Sequence, residues 1–166
     1  MSEESLITDE ARAMIGREGE PVTSGPVTEL EIMTYCEAVG DLNPLYVDKA
    51  AAESGPYGGI IAPPLSHPVA RGMRLTDLRE DGLPAPKGRG GMVPLKVTRT
   101  MAGGTETEFV NPIRPGDMLT SRSKIADIYE RTGRSGSRLV FVVTETVTIN
   151  QNGEVVTISR TTGISR

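Results

Sequence analysis

The spacing of apolar positions changes character along the chain. Ile32, Tyr35, Cys36 and Val39 recur at helical spacing, which predicts a helix with these four on its core face. Its start is marked by Thr28 followed by Glu31, the spacing of a capping box, and by Val27 and Ile32 at the positions of a hydrophobic staple. Gly40 suits its C-terminal stop. Ahead of it, residues 1–20 read as a helical lead-in, with Thr8 as cap, Asp9 and Glu10 in the first turn, and Ala11, Met14 and Ile15 sharing one face. Residues 21–26 read as a short extended piece. Beyond Gly40, Asn43-Pro44 breaks the helix, because proline pushes the residue before it toward extended conformations. Asp48 caps a short Ala-rich helix, Lys49 to Ser54, ended by Gly55. Ile60-Ile61-Ala62 followed by Pro63-Pro64 reads as the apolar entry into a further helix, with the prolines in its first turn.

The second half changes period. Residues 75–92 are rich in Gly and Pro and read as a long loop, the kind that is functional or mobile in a compact domain. From Thr105 to Val110 the pattern alternates, with Thr105, Thr107 and Phe109 on one side. Residues 118–131 predict a long strand with a bulge near Ala126. Residues 138–149 are β-branched and apolar enough for a central strand. Asn152-Gly153 is a hairpin signal leading into residues 155–162. Helices first and an antiparallel meander after them make an α+β layout. At 166 residues the chain is expected to form one domain spanning 1–166, long enough to bury a core.

Composition removes several classes of function. The net charge of −4 and an aromatic content of 4%, with no Trp, argue against nucleic acid and anionic membranes as partners. A polyanionic ligand such as coenzyme A could still meet a local basic patch, for which Arg71 and Arg74 are candidates; solvated surface charge is the plainer reading of both. No apolar run approaches the roughly 18 residues of a membrane span. The acidic start, with Glu3 and Glu4, is unlike a secretory or transit peptide, so a cytoplasmic location is expected. A single cysteine, Cys36, and a single histidine, His67, leave no disulfide framework and no metal site, and no cofactor is expected.

The densest chemistry lies between residues 40 and 64. Gly40, Asp41, Asn43, Pro44, Asp48, Ala52, Tyr57, Ile61 and Ala62 fall without a gap on the signature Gly-Asp-x-Asn-Pro-x-His-x-Asp, then Ala, an aromatic and Ile-Ala-His-Gly. Residues 111–117, a proline turn ending in Gly116-Asp117, resemble a second landmark of the same family. On these motifs, over roughly residues 20–166, the chain resembles the MaoC-like hydratases and dehydratases, and within them the N-terminal dehydratase branch. The resemblance implies the hotdog fold, an antiparallel sheet wrapped around a central helix. It also implies chemistry on a coenzyme A or carrier-protein acyl thioester: water adds to a 2,3-enoyl thioester or leaves a 3-hydroxyacyl one. In the family an Asp and a His share the water, and a backbone N–H of the signature's last Gly stabilises the enolate oxygen.

Two departures from the signature matter. Tyr46 stands where the family has its His, and a phenol with an ordinary pKa near 10 is a poor base at neutral pH. Pro64 stands where the family has the oxyanion-hole Gly, and proline has no N–H to donate. Asp41 reads either as the surviving catalytic carboxylate or as a residue holding its turn. Tyr46 reads as packing or as an acid donor, and His67 as a replacement base or as a surface residue. Three functions stay open on the sequence. The chain is a non-catalytic hotdog half that pairs with a MaoC-like catalytic subunit in a heterodimer or heterotetramer. Alternatively it is a stand-alone hydratase, for example a homodimer, built on Asp41 with Tyr46 or His67. The third reading is an acyl-thioester-binding scaffold without catalysis.

Overall fold

The computed structural model describes residues 4–66, 93–134 and 136–166. Helix α1 (Asp9–Ala13) starts where the sequence marks it: the Thr8 hydroxyl accepts the Ala11 N–H at 3.0 Å. Strand β1 (Val22–Pro26) leads into α2 (Glu29–Val39). The capping box of α2 is complete, with the Glu31 N–H donating to the Thr28 hydroxyl (3.2 Å) and the Thr28 N–H to the Glu31 carboxylate (2.9 Å). Thr28→Ala removes the side-chain acceptor, so a loss of about 1 kcal/mol in urea unfolding is expected.

Two one-turn helices follow, α3 (Pro44–Val47) and α4 (Lys49–Ser54). Pro44 does not simply break the chain. It opens α3 at a position where its missing N–H costs nothing, with the Asn43 side chain accepting the Leu45 N–H at 3.0 Å. The remaining strands are β2 (Thr100–Phe109), β3 (Met118–Thr132), β4 (Arg138–Ile149) and β5 (Val155–Ser165). They form one antiparallel sheet in the order β1-β3-β4-β5-β2, with β4 central as its composition predicts. The bulge falls at Ala126, since Ile125 pairs with Thr144 and Asp127 with Val143. Gly153 takes φ +81° in the hairpin, a conformation that glycine adopts without a Cβ penalty.

Both helical segments lie on the same face of the sheet. At one end Ile32 and Cys36 of α2 are buried with Val27, Ile113, Leu119 and Val156. At the other, Ala11 of α1 is buried with Ile7, Ile125, Ile128 and Val140. Between the clusters this inner face carries paired hydroxyls, Ser121 with Thr148 (2.9 Å) and Ser123 with Thr146 (2.8 Å). The arrangement is the α+β hotdog fold.

Three expectations need correction. Val39 is 55% exposed, because α2 stops at Gly40 (φ +75°) and leaves its last residue no following turn to pack against. Ile15 is also exposed: α1 ends at Ala13, so Ile15 is off the helix and forms an isolated bridge to Ile125 instead. No helix begins at Pro63-Pro64. The Ser66 N–H closes a turn on the Pro63 carbonyl (3.2 Å), with Leu65 at φ +67°. His67, Arg71, Arg74 and the loop expected over 75–92 lie outside the described residues. Among the described residues no helix is long and apolar enough to cross a membrane.

Candidate functional site

The signature segment is a chain of capped turns. Gly40 reverses the backbone, and the Asp41 N–H donates to the Cys36 carbonyl at 3.0 Å. The Asp41 carboxylate accepts the Asn43 N–H at 3.3 Å. The Asp48 N–H closes α3 on the Pro44 carbonyl (3.0 Å), and its carboxylate caps α4 through the Ala51 N–H (3.1 Å). Gly55 is required by contact: a Cβ there would stand 2.8 Å from Leu45 Cδ2 and 3.2 Å from the Ala52 carbonyl oxygen. The strand-like run that follows is pinned from both sides, by Ile61 N–H to the Leu45 carbonyl (3.3 Å) and Ala62 N–H to the Ile113 carbonyl (2.8 Å).

The second landmark is the clamp of this segment. Arg114 donates from its guanidinium to the Tyr57 carbonyl at 2.7 Å. Buried Asp117 accepts the Arg114 N–H (2.8 Å) and the Gln151 side-chain amide (3.1 Å). The Gly116 N–H and the Asp117 carbonyl then bond to the backbone of Val27, just before α2. The sequence marks Asp117 through its Pro-Gly-Asp turn. Nothing in it marks Gln151 or the reach of Arg114 to Tyr57, because both depend on which loops meet at this end of the sheet.

Asp41 and Tyr46 come within electrostatic reach of one another. Asp41 is exposed, and Tyr46 is half-buried against the α2 cluster. Burial pushes the Tyr46 phenol above its ordinary value, and the charges of Asp41, Cys36 and Tyr57 add to the shift. Burial and then Asp41 likewise raise the Cys36 thiol. Both groups are therefore protonated at neutral pH, and even less of Tyr46 than of a free tyrosine is present as the phenolate that could act as a base. Pro64 lies within the turn that the Ser66 N–H closes on the Pro63 carbonyl, and its own nitrogen has no hydrogen to donate. Among the described residues no three ligating side chains cluster as a metal site would need. The segment is thus a run of capped turns with an exposed carboxylate, Asp41, that accepts a backbone N–H of its own turn.

The chain is similar in sequence and fold to several known proteins. The model of the FAS1-like dehydratase domain region matches residues 13–159. A UPF0336 protein of Thermobifida fusca is 30% identical over 74% of this chain and 74% of its own length. The 3-oxo-4,17-pregnadiene-20-carboxyl-CoA hydratase alpha subunit of Mycobacterium tuberculosis is 30% identical over 62% of this chain, a stretch that makes up 33% of that protein. Among solved structures, a MaoC-like dehydratase from Rhodospirillum rubrum superposes with a TM-score of 0.64 at 26% identity, covering 91% of both chains. The ChsH1-ChsH2 complex from Mycobacterium tuberculosis shares the fold at a TM-score of 0.69 and 19% identity, over 94% of this chain and 88% of that one.

Proposed function

The chain belongs to the FAS1-like dehydratase domain region family, and from that premise we propose that it is the non-catalytic hotdog half of a heteromeric enoyl-thioester hydratase or 3-hydroxyacyl-thioester dehydratase. A MaoC-like subunit supplies the Asp and His pair and the oxyanion glycine, and this chain shapes the acyl site and stabilises its partner. The observation that carries the reading is Pro64 at the oxyanion position, beside a Tyr46 whose phenol is held protonated. A missing oxyanion donor alone costs about 3 kcal/mol of transition-state stabilisation in enzymes that depend on one.

The sheet offers a place for the partner. Among the described residues β2 pairs only with β5, and all of its ten residues except Thr107 are exposed. A long edge without a second strand among the described residues is a template for another strand. The opposite edge, β1, is five residues long, irregular in register and ends in Pro26. The similarity to a protein named as a hydratase alpha subunit agrees with a role inside a larger enzyme.

The test is co-expression with MaoC-like hotdog chains that carry the full Asp, His and Gly signature, followed by hydration of a crotonyl-type thioester. Activity is expected only in the mixture. Turnover by this chain alone would overturn the reading in favour of a site rebuilt on Asp41 with Tyr46 or His67, and inactivity of every mixture would favour a thioester-binding scaffold.

A further inference from the structure

The outer face of the sheet, opposite α1 and α2, contributes no side chain to either hydrophobic cluster. Its charges are ordered. Reading across the strands, Lys124 of β3 is paired with Glu145 of β4, Glu145 with Arg160 of β5, and Arg160 with Glu106 of β2. The row alternates in sign from one side to the other. The next row outward on this face reads Arg122, Val147, Ile158 and Glu108. It is again positive at the β3 side, negative at the β2 side, and apolar between. The middle of the first row is fixed in place, since Glu145 accepts Lys124 at 2.8 Å and Arg160 at 2.9 Å, and its side chain is only 13% exposed.

From this register we infer that the outer face is a packing surface for the outer face of a second copy of this chain, about a two-fold axis parallel to the strands between β4 and β5. That rotation reverses the strand order and preserves the rows. Lys124 then meets Glu106 of the second copy, Glu145 meets Arg160, Arg122 meets Glu108, and Val147 meets Ile158. Every charge in both rows faces its opposite, and the apolar residues face each other. Asp127, beside the first row, falls opposite Gly104, which brings no like charge. A two-fold perpendicular to the strands is rejected by the same pattern, because each charge along the axis would meet its own copy. Aligned packing of two sheets about 10 Å apart is an ordinary solution for faces of this kind. This surface is distinct from the β2 edge, so two copies can meet here while each edge carries another hotdog.

The charge order supplies its own test. Lys124 and Glu106 lie three strands apart in one chain, about 14 Å, too far to pair directly, so a rescue between them requires a facing copy. Sedimentation of the full chain at micromolar concentration is expected to show an assembly that falls to half its mass in Lys124→Glu and in Glu106→Lys, with circular dichroism reporting an intact sheet. The double variant is expected to regain the wild-type mass. Arg122→Glu and Glu108→Arg, at exposed positions, repeat the experiment should either first variant fold poorly. A monomeric wild type, single variants of unchanged mass, or a double variant that stays at half mass would each overturn the inference. Neither the partner subunit nor turnover enters the measurement, so its failure leaves the hydratase reading intact.

Discussion

In the proposed heteromeric hydratase, Asp41→Asn, Tyr46→Phe and His67→Ala are expected to leave turnover of a crotonyl-type thioester within about twofold, while His→Ala in the partner's motif lowers it about a hundredfold or more, the scale of a lost general acid or base. The asymmetry follows from position. The Tyr46 phenol is pushed further from use as a base by burial and by Asp41. Pro64 cannot donate to a developing enolate. An exposed Asp41 that accepts the Asn43 N–H at 3.3 Å has no neighbour among the described residues that completes the reaction. Asn at this position keeps an oxygen that can accept the Asn43 N–H, so the variant removes the charge while the turn contact stays available. A hundredfold fall on changing Asp41 or His67, with folding and assembly unchanged, would sink the non-catalytic assignment.

The features legible in the sequence are those decided within a few residues. Thr28 and Glu31 find each other across one helical turn. Asp48 caps α4, and Ala126 falls at the bulge because the alternation slips there. The departures at Tyr46 and Pro64 are equally local, since a phenol's weakness as a neutral-pH base and proline's missing N–H follow from residue type alone. What stayed hidden depends on distant segments. Val39 obeys the helical period, but it is the last residue before the Gly40 stop, and its exposure depends on which segments pack beside that end of the helix. Ile15 obeys the period of α1 but pairs with Ile125, more than a hundred residues away in the chain. The Asp117–Gln151 contact and the alternating outer face require the register of four strands, which residue types alone do not fix.

Acid sensitivity should follow from one carboxylate that the motifs never point to. Glu130 of β3 accepts the Ser5 hydroxyl at 2.6 Å and the Leu6 N–H at 2.8 Å, and its second oxygen takes the Arg138 guanidinium. Arg138 also donates to the Glu4 carbonyl at 2.8 Å. The Ser5 bond first, then Arg138 and the Leu6 N–H, outweigh burial and hold the carboxyl at about 2 against an ordinary 4.5. A folded pKa below the unfolded one stabilises the fold above about pH 4.5, and that contribution is lost as pH falls toward 2. With the side chain 21% exposed, solvent screening trims the contribution to about 2 kcal/mol. Glu130→Gln should therefore lower unfolding free energy by about 2 kcal/mol at pH 7 and flatten its fall between pH 5 and 2. Urea titrations of both proteins across that range read the difference, and parallel slopes would exclude Glu130 as the titrating group. The damage should centre on the N-terminal segment. Leu6 accepts the Lys96 N–H at 3.0 Å, and Thr8 donates to the Pro94 carbonyl at 2.7 Å. Freeing Ser5 and Leu6 therefore loosens two segments that Glu130 holds together on the inner face, and amide exchange at Leu6 and Lys96 should quicken together while β4 stays protected.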